Sequence, residues 1–88
     1  MPYRVRKFQS TPNPNALKCV LDRSAGDTPR SYFRADEAAA DPLASRLFAI
    51  HGVTNILING DWITVSKSAQ ADWKAIRAGV EQVLGAAE

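Results

Sequence analysis

Residues 41–67, DPLASRLFAIHGVTNILINGDWITVSK, spell a complete unit of helix, turn, strand, turn and strand. Asp41 stands where a helix cap is needed, its carboxylate placed to accept backbone N–H groups that a first turn leaves without partners. Pro42 follows at the first helical position, where a missing donor is harmless. Leu43, Leu47 and Ile50 recur at helical spacing, and Ala44 and Phe48 widen the apolar stripe. Gly52 supplies the left-handed residue that ends such a helix. Residues 53–58 and 62–65 then read as strands joined by Asn59-Gly60, the dipeptide best suited to a type I′ turn. That turn sets Ile58 opposite Asp61, Leu57 opposite Trp62 and Ile56 opposite Ile63. Ile56, Ile58, Ile63 and Val65 share the core face, with Val53, Leu57 and Trp62 on the other. A bulged three-residue turn would exchange the two faces.

On the N-terminal side, residues 3–9 alternate loosely, Tyr3 and Val5 pointing one way and Arg4, Arg6 and Phe8 the other. Thr11-Pro12-Asn13-Pro14-Asn15 is a stiff connection. Its prolines hold Thr11 and Asn13 extended, and its asparagines close side-chain turns. Residues 16–22 return antiparallel, with Leu17, Cys19 and Leu21 on one face and Lys18, Val20 and Asp22 on the other. A turn cluster at residues 24–29 leads to a short third strand, 30–34, carrying Tyr32 and Phe33. Residues 35–40 favour a partial helical turn.

Beyond the central unit, Ser68 is the expected cap of a last helix over residues 69–84, ended by Gly85. Trp73, Ile76, Val80, Val83 and Leu84 form its apolar stripe. Gly79 weakens that helix by up to ~1 kcal/mol relative to Ala and points to close packing on the sheet. The order β-β-(β)-α-β-β-α predicts an α+β two-layer sandwich, a mainly antiparallel sheet with two helices on one face and the other face partly wet.

Eighty-eight residues make one domain, residues 1–88, whose core is small enough that each large apolar side chain counts. No apolar run approaches the ~20 residues of a membrane span. The first residues, MPYRVRKF, lack the apolar centre of a secretory signal, so the expected location is cytoplasmic. The net charge of +2 is unevenly placed: seven Lys/Arg against Asp22 and Asp27 in residues 1–34, four against seven acids in residues 35–88.

Catalysis by this chain finds little support. One cysteine, Cys19, and one histidine, His51, cannot close a four-ligand zinc or iron–sulfur site within a monomer. Cys19 alternates with Leu17 and Leu21, so a small buried hydrophobe is the better reading than a reactive thiol. His51 ends a helix with no co-ligand three to five residues away, which suits a cap or surface role. The five glycines are isolated, so no phosphate loop exists, and nothing separates Asp36 and Glu37 into an acid and a base.

Binding is better supported. Arg4, Arg6 and Lys18, with Phe8 among them, fall on the outward face of the first hairpin, and Leu57 with Trp62 forms a second candidate contact surface. The basic hairpin with its ring also admits a rival reading as a nucleic-acid contact.

Four segments carry a resemblance: TPNPNALK (11–18), ADEA (35–38), PLASRLFAIHGV (42–53) and NGDWITVSK (59–67), followed by a helix containing Trp73. Together they resemble the N-terminal domain of Nfu-type iron–sulfur scaffold proteins, in the family's order and over nearly the whole chain. The resemblance implies an α+β domain working in iron–sulfur cluster assembly or delivery as an accessory, partner-docking module. In full-length members of that family a separate C-terminal domain holds the cluster through C-x-x-C, and no C-x-x-C occurs here. Cys19 stands where the family leads one to expect a large apolar residue, and Asp41 replaces a usual Ser. The expectation is a stand-alone, non-enzymatic domain without a cofactor or metal of its own, whose partner is a protein of the iron–sulfur machinery.

Overall fold

The computed structural model describes residues 3–26 and 28–86, so Asp27 of the expected turn cluster lies outside the described residues. Five strands, β1 (Val5–Ser10), β2 (Ala16–Leu21), β3 (Arg30–Tyr32), β4 (Val53–Asn59) and β5 (Trp62–Lys67), and two helices, α1 (Pro42–Phe48) and α2 (Trp73–Gly85), follow the expected order. The strands form one sheet, β1-β2-β5-β4-β3, with every neighbouring pair antiparallel. Cys19, Leu21, Ile56, Ile58, Ile63 and Val65 from the sheet meet Ala44 and Leu47 of α1 and Ile76, Val80 and Leu84 of α2 in a single core. Each Leu or Ile buried there contributes roughly 1.5–3 kcal/mol. Both helices therefore lie on one face, as the pattern predicts.

Asp41 caps α1, its Oδ1 accepting from the Ala44 amide at 3.3 Å. The helix ends at Phe48, and Ile50 leaves the stripe to pack on α2 against Gly79. A Cβ at Gly79 would sit 3.2 Å from the Ile50 side chain. The close approach foreseen at Gly79 is thus to the α1–β4 connection and not to the sheet. The helix closes at Ala49 in right-handed geometry (φ −69°), so Gly52 does not end it as expected; its φ of +95° serves the turn that leads into β4.

The central hairpin differs in its turn. Asn59 pairs with Trp62, Ile58 with Ile63 and Ile56 with Val65, so the two loop residues are Gly60 and Asp61. Gly60 has φ +61° and Asp61 is not left-handed, which fits a type II′ turn with Gly first and not the expected type I′. Pairing has moved by two residues. Because side chains alternate with period two, the core face stays as predicted.

Two β-bulges correct the alternation elsewhere. In β1 the register slips between Val5 and Lys7, and in β4 between Val53 and Asn55. Each inserts one extra residue, which reverses the parity beyond it. Phe8 consequently pairs with buried Cys19 and packs against the core, instead of facing outward beside Arg4 and Arg6. Val53 likewise packs against the core, instead of sharing the outer face with Leu57 and Trp62.

The last helix begins at Trp73 under an Asp72 cap, whose Oδ1 accepts from the Lys74 amide at 3.0 Å. Ser68, the expected cap, stands four residues before Asp72 in the turn that leaves β5, its amide donating to the Gly52 carbonyl at 2.9 Å. β3 stops at Tyr32, two residues early, because the Phe33 amide turns to the Glu37 carboxylate at 2.8 Å. That leaves Phe33 66% exposed.

Helix α2 is bonded to the segment before β1 and to the connection between β1 and β2. The Tyr3 amide donates to the Leu84 carbonyl at 2.9 Å, and at the opposite end the Trp73 indole N–H donates to the Pro14 carbonyl at 3.1 Å. The Thr11-to-Asn15 connection is preset to receive that bond. The Thr11 hydroxyl accepts from the Asn13 amide at 3.2 Å and donates to the Ala16 carbonyl at 3.0 Å, while Asn13 Oδ1 accepts from the Asn15 amide at 2.9 Å. Lys67 Nζ lies 5.5 Å from the Trp73 ring centroid and donates to Asn15 Oδ1.

Candidate functional site

The face of the sheet turned away from the helices is built in rows. Directly paired positions run Gln9, Lys18, Thr64, Leu57, Ser31 across all five strands, and Lys7, Val20, Trp62, Asn59 across four of them. Strands lie about 4.8 Å apart, so Lys7 and Asn59 stand roughly 15 Å from one another. Trp62, Leu57 and Val20 are half-buried, and Lys18 Nζ sits 4.9 Å from the Trp62 ring centroid. A cation over an indole face is attracted by its quadrupole. No strand residue is Asp or Glu. The ion pairs among the described residues are Arg30 with Asp41 and Arg34 with Asp36, so Lys7 and Lys18 have no carboxylate partner there.

Of the six contact residues expected from the sequence, Lys18, Trp62 and Leu57 meet on this face. Phe8 does not: it lies on the helix side, with the Arg77 guanidinium 5.9 Å from its ring centroid. Arg6 is the extra residue of the β1 bulge and is exposed. Arg4 precedes β1 and lines a depression with Tyr3, Asp22 and Glu81, its amide bound to Asp22 Oδ1 at 3.0 Å. Lys7 and Val20 belong to the face and are absent from the expected set. The strand alternation already placed Val20 there, whereas Lys7 gives no signal because the bulge that turns it outward carries no glycine.

Cys19 is sealed under the helices at 0% exposure. Burial, with a smaller contribution from the Glu81 charge, pushes its thiol up to about 12. Thiolate is the reactive form, so the folded thiol is inert near neutrality. Iodoacetamide at pH 8 is expected to leave the native protein unmodified over an hour and to alkylate it stoichiometrically in guanidinium, read by intact mass. The folded pKa lies above the unfolded one, so the thiol's contribution to stability is whole below about pH 9 and is lost as pH rises towards 12. A Cys19→Ala protein should lack that part of the alkaline decline. His51 is exposed, and no three His, Cys, Asp or Glu side chains come together among the described residues.

Behind the sheet, Asp41 is a hub that no local pattern announces. Its Oδ2 accepts from Arg30 Nη1 at 2.7 Å and from the Tyr32 hydroxyl at 2.9 Å, while Arg30 Nη2 donates to the Ala25 carbonyl. Burial and then the Asp41 hydrogen bond raise the Tyr32 phenol above its ordinary range. A shallow, mostly apolar groove of about 640 Å³ separates the helices, lined by Arg46, Ile50, Gly79, Gln82 and Val83.

The sequence model described as "Scaffold protein Nfu/NifU N terminal" matches residues 6–87. The chain belongs to the Nfu/NifU N-terminal family. Over 81 residues this Nfu N-terminal domain is 35% identical to NifU-like protein 5, mitochondrial, of Arabidopsis thaliana, covering 86% of the chain and 28% of that protein. Over 80 residues it is 35% identical to the human mitochondrial NFU1 iron-sulfur cluster scaffold homolog, covering 89% of the chain and 32% of that protein. The chain thus spans about a third of the length of these curated relatives. Among solved structures, protein SAV1430 of Staphylococcus aureus superposes with a TM-score of 0.76 at 28% identity, over 91% of this chain and 96% of that one. The NifU-like protein of Saccharomyces cerevisiae gives 0.75 at 25% identity, over 93% and 76%. The five-stranded antiparallel sheet with two helices is therefore the fold of a NifU-like protein. Among the described residues no helix is long and apolar enough to cross a membrane.

Proposed function

We propose that residues 1–88 act as one non-enzymatic docking domain in iron–sulfur cluster assembly or delivery, contacting another protein without themselves holding the cluster. The observation that carries the docking role is the uncovered sheet face, where Lys18, Trp62 and Leu57 stand together with no helix over them. Membership of the Nfu family and the names of its relatives support the process. That the cluster is held elsewhere is supported by the one thiol: Cys19 lies in the core and is held protonated, whereas cluster ligation needs an accessible thiolate. The rival nucleic-acid reading loses its stacking ring, because Phe8 is on the covered side. The proposal keeps the cytoplasm as its setting, although the human and Arabidopsis relatives carry mitochondrial names.

Affinity capture with the whole chain from native lysate tests the role, and enrichment of iron–sulfur assembly proteins is the expected result. Anaerobic incubation with ferrous iron and sulfide should leave the chain without a cluster after gel filtration. A stoichiometric cluster that Cys19→Ala abolishes would overturn the proposal.

A further inference from the structure

We propose that the open sheet face receives an acidic segment of a partner protein, its carboxylates meeting Lys7 and Lys18 and its apolar side chains meeting Val20, Trp62 and Leu57. This rests on the docking role proposed above and adds where the partner sits and what its chemistry is. Three observations carry it. The strands contain no acidic residue, so nothing on them repels a carboxylate; the acids that adjoin them in sequence on the sides of β2 and β5 are Asp22, after Leu21 and bound to the Arg4 amide, and Asp61, at the hairpin tip beside Trp62. Lys7 and Lys18 occupy neighbouring strands and adjacent rows without a carboxylate partner among the described residues, so their charge is left for an external one. Val20 and Trp62 are direct cross-strand partners, and Leu57 lies one row away on β4, giving a continuous apolar strip beside the two lysines. A strip flanked at one end by unpaired cations complements a chain in which acids and apolar residues are interspersed.

A protein segment fits better than a nucleic acid. Two lysines make a weak phosphate track, no arginine is found among the row positions, and the ring within those rows, Trp62, already has Lys18 over it at 4.9 Å. Trp is among the residue types enriched in the buried anchors of protein interfaces.

The test places a photo-crosslinking amino acid at Thr64, in the centre of the open face, or at Gln82, in the groove between the helices, in the whole chain expressed in cells. The Thr64 position is expected to give a discrete protein adduct whose mapped peptide is rich in Asp or Glu with apolar residues between them. Lys18→Glu and Trp62→Thr should each reduce that adduct about tenfold while circular dichroism and thermal midpoint stay near those of the parent. Adducts only from Gln82, a basic mapped peptide, a nucleic-acid adduct, no adduct, or an adduct indifferent to both substitutions would each overturn the inference. The two proposals fail separately. Assembly proteins crosslinked only through Gln82 sink the face and keep the role. An acidic segment crosslinked through Thr64 from a protein unconnected with iron–sulfur assembly keeps the face and sinks the role.

Discussion

Gly52→Ala is expected to lower stability by about 3–5 kcal/mol, the largest single effect foreseen in this domain. Two separate penalties meet at that position. The backbone stands at φ +95°, where an L side chain is strained by roughly 1–3 kcal/mol. An added Cβ would also fall 2.5 Å from the Ala71 Cβ, closer than two carbons can stand. Relief would require the segment from Ser68 to Ala71 to withdraw, breaking the 2.9 Å bond from the Ser68 amide to the Gly52 carbonyl. A domain of this size has about 5–13 kcal/mol in total, so the variant stands close to unfolding. Gly60→Ala is the comparison: φ there is also positive, at +61°, but nothing lies within 4 Å. It should lose only about 1 kcal/mol. Urea midpoints of both, together with the Gly52→Ala/Ala71→Gly double variant, separate the penalties, since the second change restores room without restoring φ. Equal losses at Gly52 and Gly60 would refute the steric part.

Gly52 and Asp41 are legible in the sequence as local punctuation, Asp41 opening the helix and Gly52 marking a left-handed turn, although that turn leads into β4 and the helix has already closed at Ala49. Their tertiary partners are not. Ala71, Arg30 and Tyr32 reach them through the packing of distant segments, which leaves no trace in spacing. The core face of the central hairpin shows a different kind of legibility. Misplacing the turn by one residue shifts each pairing by two, so Ile56, Ile58, Ile63 and Val65 stay inside. The bulges at Arg6 and Thr54 have the opposite effect, since a slip of one residue sends Phe8 and Val53 across the sheet. Neither bulge contains the glycine that would have advertised it. The proposed docking face is accordingly largely readable: Lys18, Val20, Leu57 and Trp62 follow from alternation, and Lys7 depends on a bulge.

Asp41→Ala is the second large effect, an expected loss of about 2–4 kcal/mol. The carboxylate performs three tasks with two oxygens. Its cap on the Ala44 amide is worth about 1 kcal/mol. The Tyr32 hydroxyl loses its acceptor, at roughly 1 kcal/mol or more for a partly buried donor. The ion pair with Arg30 lies between the exposed and buried limits, because the arginine side chain is 33% exposed and the aspartate 9%. Solvent screening keeps its loss nearer 1 kcal/mol than the full buried penalty. Asp41→Asn has one amide oxygen, so it can keep the cap on Ala44 but puts an NH2 donor where Tyr32 and Arg30 donate; it should recover only the cap's share, about 1 kcal/mol. Denaturation midpoints of the two variants against the parent measure this, and an alanine variant within 0.5 kcal/mol of the parent would show that the hub is idle.

The bonds that tie helix α2 to the margin of the sheet at Tyr3 and at Pro14 have a consequence for motion. An outermost strand ordinarily peels away first and exchanges its amide protons early. Here that strand is moored fore and aft, so it can part from its neighbour only when the whole helix lifts with it. Deuterium uptake along β1 and along α2 should then follow a common time course, and the sheet margin should open as late as the interior beneath it.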